Sequence, residues 1–151
     1  MNDLIKTEID VAANGRVNLL GEHLDYNGGH VLPLQIKNSV KINLIKNYNS
    51  DEIIISSKQY NETIVLKNEF RKLNNWSDFL IGACKVISEQ YHIEIKKIIF
   101  NVDSDLPIGV GLSSSAATSI CAIKALIEYF NLSADNLKIV NLALKIERDF
   151  I

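Results

Sequence analysis

The chain has 151 residues, of which 47% are hydrophobic and 23% charged, with a formal net charge of −2 at pH 7. This composition indicates one ordinary globular domain with a core of useful size. It contains no basic block or tail that would favour nucleic acid or an anionic membrane, and no apolar run long enough to span a bilayer. Residues 1–6 lack the apolar core of a signal peptide, so we expect a cytoplasmic protein.

Runs of apolar residues, some alternating with polar ones, predict the strands of the first half. The four predicted strands are Ile9–Ala13, Val40–Leu44, Glu52–Ser56 and Glu62–Leu66. The first two flank residues 14–33, a glycine-rich segment that is expected to be a loop.

The second half is dominated by helical spacing of apolar residues. A helix is predicted over Trp76–Tyr91, with Asn75 or Ser77 as its cap. Its apolar stripe consists of Leu80, Ile81, Cys84, Ile87 and Tyr91. A fifth strand, Ile98–Val102, leads to a second helix, Ser114–Phe130.

A last helix is predicted to follow a cap at Ser133 and to end at Asp149. Its expected apolar face consists of Leu137, Val140 and Leu144. Strands that come first, followed by helix, strand, helix and helix, predict an α+β fold.

The two cysteines, Cys84 and Cys121, both lie at apolar helical positions. Buried free thiols are therefore expected. No combination of Cys and His has the spacing of a zinc site.

The glycine-rich segment 14–33 carries Arg16, Glu22, His23 and Asp25 among four glycines. Two carboxylate acceptors and a guanidinium with five donors suit the hydroxyl groups of a sugar. An exposed turn with a surface ion pair explains the same residues, and the residue chemistry alone leaves both interpretations open.

The segment Leu106–Ala117 predicts a phosphate-binding turn. Gly109 and Gly111 permit a sharp turn, and three serines follow where a helix begins. A helix N-terminus presents unpaired N–H groups and partial positive charge, which favour phosphate. A flexible Gly/Ser linker is the alternative, but the interleaved apolar residues and the helix that follows argue against it. The chain contains no G-x-x-x-x-G-K-[ST] motif, so this is not the common P-loop.

Both segments resemble those of a known family. Gly15–Gly29 closely resembles the galactokinase signature, and Leu106–Ala116 resembles the phosphate motif of the GHMP kinase superfamily. The resemblance implies the N-terminal domain of a GHMP kinase, which is an α+β fold like domain 2 of ribosomal protein S5, with a mixed β-sheet packed against helices. Residues 12–33 would then hold the signature and sugar-binding loop, and residues 98–151 the phosphate-binding region.

The resemblance also implies ATP, Mg²⁺ and galactose as ligands. Arg16 resembles the catalytic arginine beside the transferring phosphate, where it would neutralise charge in the transition state. The signature residues that resemble those holding the sugar hydroxyls are Glu22, His23 and Asp25.

For the nucleotide, the resemblance implies a triphosphate cradle that consists of Gly109, Gly111, Leu112, Ser113, Ser114 and Ser115. Ser115 and Glu147 are the expected magnesium ligands, although Glu147 is equally well explained as a solvated helix residue. Trp76 resembles an aromatic of the adenine pocket, and ordinary core packing is the alternative.

The chain departs from the family in two respects. Asn14 stands where the family usually has proline, which would only stiffen the turn. Family members are also more than twice this long, and their catalytic aspartate and a third glycine-rich motif would lie beyond Ile151. We therefore expect an N-terminal portion that ends before the C-terminal domain, is inactive alone and may be completed by a separate C-terminal half.

The implied activity of the full-length parent is ATP-dependent phosphorylation of galactose at C1. One alternative is a related sugar kinase that acts on N-acetylgalactosamine or a uronic acid. A non-catalytic sensor of galactose and ATP, or an inert fragment, is the other.

Overall fold

The computed structural model describes residues 6–21, 24, 27–67, 69–107 and 111–151. Within them, five strands form one sheet: β1 (Glu8–Leu20), β2 (Leu32–Lys46), β3 (Ile53–Ser57), β4 (Glu62–Leu66) and β5 (Ile98–Ser104). The described helices are α1 (Asp78–Tyr91), α2 (Ser114–Tyr129) and α3 (Asn136–Asp149). The predicted α+β class is confirmed.

The strands lie in the order β1-β2-β5-β3-β4, and all neighbours are antiparallel except β3 and β5, which are parallel. Helix α2 packs against β1 and β2, and the other two helices pack against α2 and each other. Alternate strand residues point into this core, among them Ile42, Leu44, Ile55 and Phe100, each no more than 1% exposed. All three helices therefore belong to one hydrophobic core with the sheet.

Strands β1 and β2 are much longer than predicted. Their pairing continues through Arg16 opposite Gln35 to Leu20 opposite Leu32, with a register shift between Asn14 and Arg16. The expectation of a loop from residue 14 onward was therefore wrong for its first part and for its last two residues. Glycines did not end the strand, because β2 supplies a hydrogen-bonding partner along its whole length.

Helix α3 buries a different face from the one predicted. Its buried residues are Leu142, Ala143 and Ile146. The three residues of the predicted face are exposed, namely Leu137 (69%), Val140 (45%) and Leu144 (46%). The helix carries two apolar stripes with helical spacing, and contact with α1 and α2 selects the one that sequence reasoning passed over.

The helix caps also differ from the prediction. Asp135, not Ser133, caps α3, and its side chain accepts a hydrogen bond of 2.7 Å from the backbone N–H of Lys138. Ser77 does stand at the N-cap of α1, but its side chain makes no capping hydrogen bond. Instead its hydroxyl donates to Oδ1 of Asn75 at 2.6 Å.

Both cysteines are free and buried, as predicted. Burial raises the pKa of the Cys121 thiol to about 12 and lifts the pKa of Cys84 well above its usual range. Within the described ranges, no helix has both the length and the apolar character needed to cross a membrane.

Candidate functional site

The site is organised around a close contact between β1 and the turn that precedes α2. The backbone N–H of Arg16 donates to the carbonyl oxygen of Leu112 at 3.2 Å. A Cβ atom on the neighbouring Gly15 would lie 2.8 Å from that same oxygen and 2.5 Å from Cδ2 of Leu106. Only glycine fits here without displacing the turn, because real Cβ contacts are longer than this. Gly15 therefore serves close packing within a strand.

The N-terminus of α2 is suited to an anion. Ser113 occupies the N-cap with φ 59°, and its side chain makes no capping hydrogen bond. The first turn contains no acidic residue. The amides of a first helical turn have no acceptor within the helix, so they and the dipole are available to a phosphate. The serines predicted for a phosphate cradle therefore stand where such a cradle requires them.

A cleft of about 430 Å³ joins β1, α2 and α3. Its described lining consists of Arg16, Ser113, Ser115, Ala116, Ile120, Val140, Ala143, Leu144 and Glu147. Four residues predicted for the site from separate parts of the chain thus meet around one space: Arg16, Ser113, Ser115 and Glu147. The exposed stripe of α3, including Val140 and Leu144, forms its apolar wall.

The donor set in this cleft fits magnesium. A hydroxyl from Ser115 and a carboxylate from Glu147 are hard oxygen ligands of the kind that Mg²⁺ prefers. The described residues contain no group of three or more His, Cys, Asp and Glu that could enclose a metal ion. This fits Mg²⁺, which usually takes one or two protein carboxylates and completes its shell with waters and substrate phosphates.

A second cleft, of about 290 Å³, adjoins the first and shares Arg16 and Ser113 with it. It also contains Lys124 and Gln35, which the sequence analysis did not single out. The spacing of Ala116, Ile120 and Lys124 puts all three on one side of α2, so helical periodicity could have identified the lysine. Two cations, Arg16 and Lys124, therefore face this space.

A third, narrow cleft of about 90 Å³ connects the serines to aromatic residues. Ser114 and Ser115 line one part of it, and Tyr60, Trp76 and Phe79 line another. Trp76 is half-buried and also packs against the core, so both interpretations of this residue describe part of its surroundings. Tyr60 was not predicted, because it lies at a hairpin tip distant in sequence from the phosphate turn.

Four predicted residues lie outside the described part of the chain. Glu22, His23 and Asp25 were predicted to hold a sugar, and Gly109 to form part of the phosphate turn. Their roles stay predictions.

Comparisons with known proteins point to one group. The family described as GHMP kinases N terminal domain matches residues 78–151. A second family, described as Galactokinase galactose-binding signature, matches residues 6–43. The two matches cover the two segments that carried the resemblance in the sequence.

Individual relatives agree with these matches. The chain is 39% identical to a galactokinase from Thermosipho africanus over 93% of its own length, but it spans only 39% of that relative. Its fold is similar to that of the Lactococcus lactis galactokinase solved with galactose (TM-score 0.83, 28% identity, 97% of this chain and 39% of that one). It is also similar to the mevalonate kinase of Methanococcus jannaschii (TM-score 0.85, 26% identity, 93% of this chain and 46% of that one).

Proposed function

The chain belongs to the GHMP kinase superfamily and matches galactokinases within it, and we propose that it supplies the ATP- and sugar-binding groups of a galactose kinase. The reaction of the full-length parent is the transfer of the γ-phosphoryl group of ATP to the C1 hydroxyl of galactose. The observation that carries this proposal is the meeting of Arg16, Ser113, Ser115 and Glu147 around one cleft.

The triphosphate of ATP would lie at the N-terminus of α2. Gly109, Gly111 and Leu112 would bring the backbone close to the phosphates, and Ser113, Ser114 and Ser115 would add hydroxyl donors. The uncapped first turn of α2, with no acidic residue, supports this assignment. The adenine would lie toward Trp76, on the side of the narrow cleft that Tyr60 and Phe79 also line.

Arg16 would act on the transferring phosphoryl group. A guanidinium is always charged and presents donors that match phosphate oxygens. Phosphoryl transfer depends mainly on positioning and charge stabilisation, which Arg16 can provide from the wall of the same cleft as the serines. Its position is fixed by the strand β1 and by the bond of its N–H to Leu112.

Ser115 and Glu147 would hold Mg²⁺. When bound, the ion neutralises charge on the phosphates of ATP. Holding it requires that α2 and α3 keep their spacing, because each helix contributes one ligand to the cleft. The burial of Leu142, Ala143 and Ile146 of α3 maintains that spacing.

Galactose would be held by Glu22, His23 and Asp25, which follow the end of β1. The match of residues 6–43 to a galactose-binding signature supports this assignment. The general base that deprotonates the C1 hydroxyl would come from outside residues 1–151, since the chain spans only 39% of the galactokinase that it matches. A cytoplasmic location stays part of the proposal.

Replacement of Asp25 in the full-length parent tests this function. Asp25→Ala removes one acceptor from a site built to bind hydroxyls, which should cost about 2–4 kcal/mol of transition-state binding. The measurement is kcat/KM for galactose from a coupled assay of ADP release. Asp51→Ala, which removes a solvent-exposed carboxylate paired with Lys97, is the control and should leave kcat/KM unchanged. Unchanged kcat/KM in Asp25→Ala would exclude Asp25 from the site, and a parent that phosphorylates no galactose would refute the function.

A further inference from the structure

Two contacts fix the ring of Trp76, and both come from the β3–β4 hairpin. The ring of Tyr60 stacks on it, with centroids 5.2 Å apart and planes inclined by 10°. The indole Nε1–H donates to Oε2 of Glu62 at 2.5 Å. The stack restrains the tilt of the indole plane and the hydrogen bond restrains rotation within that plane. Trp76 itself lies in the connection before α1, outside any helix or strand.

The hairpin tip is in turn attached to the strand that leads to the phosphate turn. The side-chain amide of Gln59 donates to the carbonyl oxygen of Leu106 at 3.0 Å. The backbone N–H of Lys58 donates to the carbonyl oxygen of Val102 at 3.1 Å. Tyr60 is therefore held against Trp76 by a tip that is anchored on both sides of its first two residues.

The aromatic stack and the start of α2 line the same narrow cleft. Tyr60 and Trp76 contribute to its lining together with Ser114 and Ser115. An ATP molecule whose phosphates lie on the serines would direct its base toward these rings. A purine binds to an aromatic ring through its flat face, so its affinity depends on the orientation of that ring.

From this geometry we propose that Tyr60 and Glu62 are positioning residues that hold the Trp76 ring in the orientation that receives the nucleotide base. The inference rests on the proposed function, since it takes ATP as the nucleotide. Neither residue belongs to the two segments that carried the family resemblance. Their effect on ATP is exerted through Trp76.

The experiment uses the 151-residue chain, because Trp76 is its single tryptophan. Emission and acrylamide quenching are recorded for the wild type and for Tyr60→Ala, Tyr60→Phe and Glu62→Ala. Tyr48→Ala is the control, because Tyr48 is 74% exposed and lies outside the cleft. Each protein is then titrated with Mg-ATP and with inorganic tripolyphosphate, which has no base.

Without nucleotide, Tyr60→Ala and Glu62→Ala should shift Trp76 emission to longer wavelength and increase quenching. Tyr60→Ala should weaken Mg-ATP by roughly three- to tenfold, as expected for the loss of one aromatic pair. Tyr60→Phe should restore the wild-type affinity, since it keeps the ring. Tripolyphosphate affinity should be the same in all variants, because the phosphate site is not altered.

The inference is overturned if Tyr60→Ala binds Mg-ATP as tightly as the wild type, or if ATP and tripolyphosphate weaken by the same factor. Equal weakening would mean that the substitution acts on the fold and not on the base. A wild-type chain that binds neither ligand would refute the proposed function itself. That outcome is distinct, because the emission of the free variants still reports whether the hairpin holds Trp76.

Discussion

The backbone N–H of Arg16 on β1 and the carbonyl oxygen of Leu112, at the entrance to α2, are joined by a hydrogen bond of 3.2 Å. These residues are 96 positions apart in the sequence. The bond fixes the edge of the sheet against the turn that presents Ser113 and Ser115. Arg16 and the start of α2 are therefore positioned relative to each other by backbone atoms, independently of any side chain.

Gly15→Ala should destabilise the chain. The new Cβ atom would lie too close to the carbonyl oxygen of Leu112 and to the side chain of Leu106, and strain of this kind costs about 1–3 kcal/mol. Chemical denaturation measures the loss, and a Mg-ATP titration should show weaker binding because the turn moves away from Arg16. Wild-type stability would mean that the contact is looser than described.

Ser119→Ala should leave stability unchanged or raise it by about 1 kcal/mol. Ser119 is fully buried, and its hydroxyl oxygen has no hydrogen-bond partner in the described part of the chain. An unmet buried hydroxyl is costly, so its removal costs little. Ser88→Ala is the matched control, because the Ser88 hydroxyl donates to the carbonyl oxygen of Ile93 at 2.6 Å. The control should lose about 1 kcal/mol, and a larger loss in Ser119→Ala would reveal a bond for that hydroxyl.

The buried thiols should make the chain less stable in alkali. The pKa of Cys121 is raised to about 12 in the folded state, and the pKa of Cys84 is also raised. The unfolded thiols ionise near pH 8.5, so above that pH the unfolded state binds fewer protons than the folded one. Each thiol should then lower the free energy of unfolding by about 1.4 kcal/mol per pH unit until the folded-state pKa is reached.

A comparison with the double variant Cys84→Ala/Cys121→Ala isolates this effect. Lysine and tyrosine titrations are common to both proteins, so the difference in slope between pH 9 and pH 10.5 belongs to the thiols. The double variant should show the shallower decline. Equal slopes would mean that the thiols are accessible to solvent in the folded state.

Several features of the fold could be predicted from local patterns. The strand Glu62–Leu66 was predicted with its bounds, because alternating apolar residues and turn signals on both sides agree. The buried face of α3 was not, since Val140 and Leu144 have the same helical spacing as Leu142 and Ile146. Tertiary contact decided between the two stripes, and sequence periodicity has no access to it.

The site shows the same division. Arg16, Ser113, Ser115 and Glu147 were identified from motifs, because their residue types and order are distinctive. Tyr60 could not be found that way: its relation to Trp76 exists only because β3 pairs with β5 and carries the hairpin tip toward the phosphate turn. A pairing between strands distant in the sequence has no local signal.

The 151-residue chain alone should show no galactose-dependent turnover. We propose that its general base comes from outside these residues, and loss of a general base typically lowers the rate by ~10²–10⁴. A coupled assay of ADP release with galactose and Mg-ATP measures this. Turnover near that of ordinary kinases, at about 1–100 s⁻¹ from homogeneous protein, would mean that residues 1–151 contain a base.

The central claim is that ATP binds at the turn before α2, and calorimetric titration of Mg-ATP into two glycine variants tests it most directly. Gly111 and Gly28 have nearly the same backbone conformation, with φ +73° and +75°, and an added Cβ would meet no described atom within 4 Å at either position. Gly111→Val and Gly28→Val therefore introduce similar backbone strain. We predict that Gly111→Val weakens Mg-ATP by tenfold or more while Gly28→Val binds like the wild type. Wild-type affinity in Gly111→Val, or equal weakening in both variants, would contradict the assignment of the phosphate site.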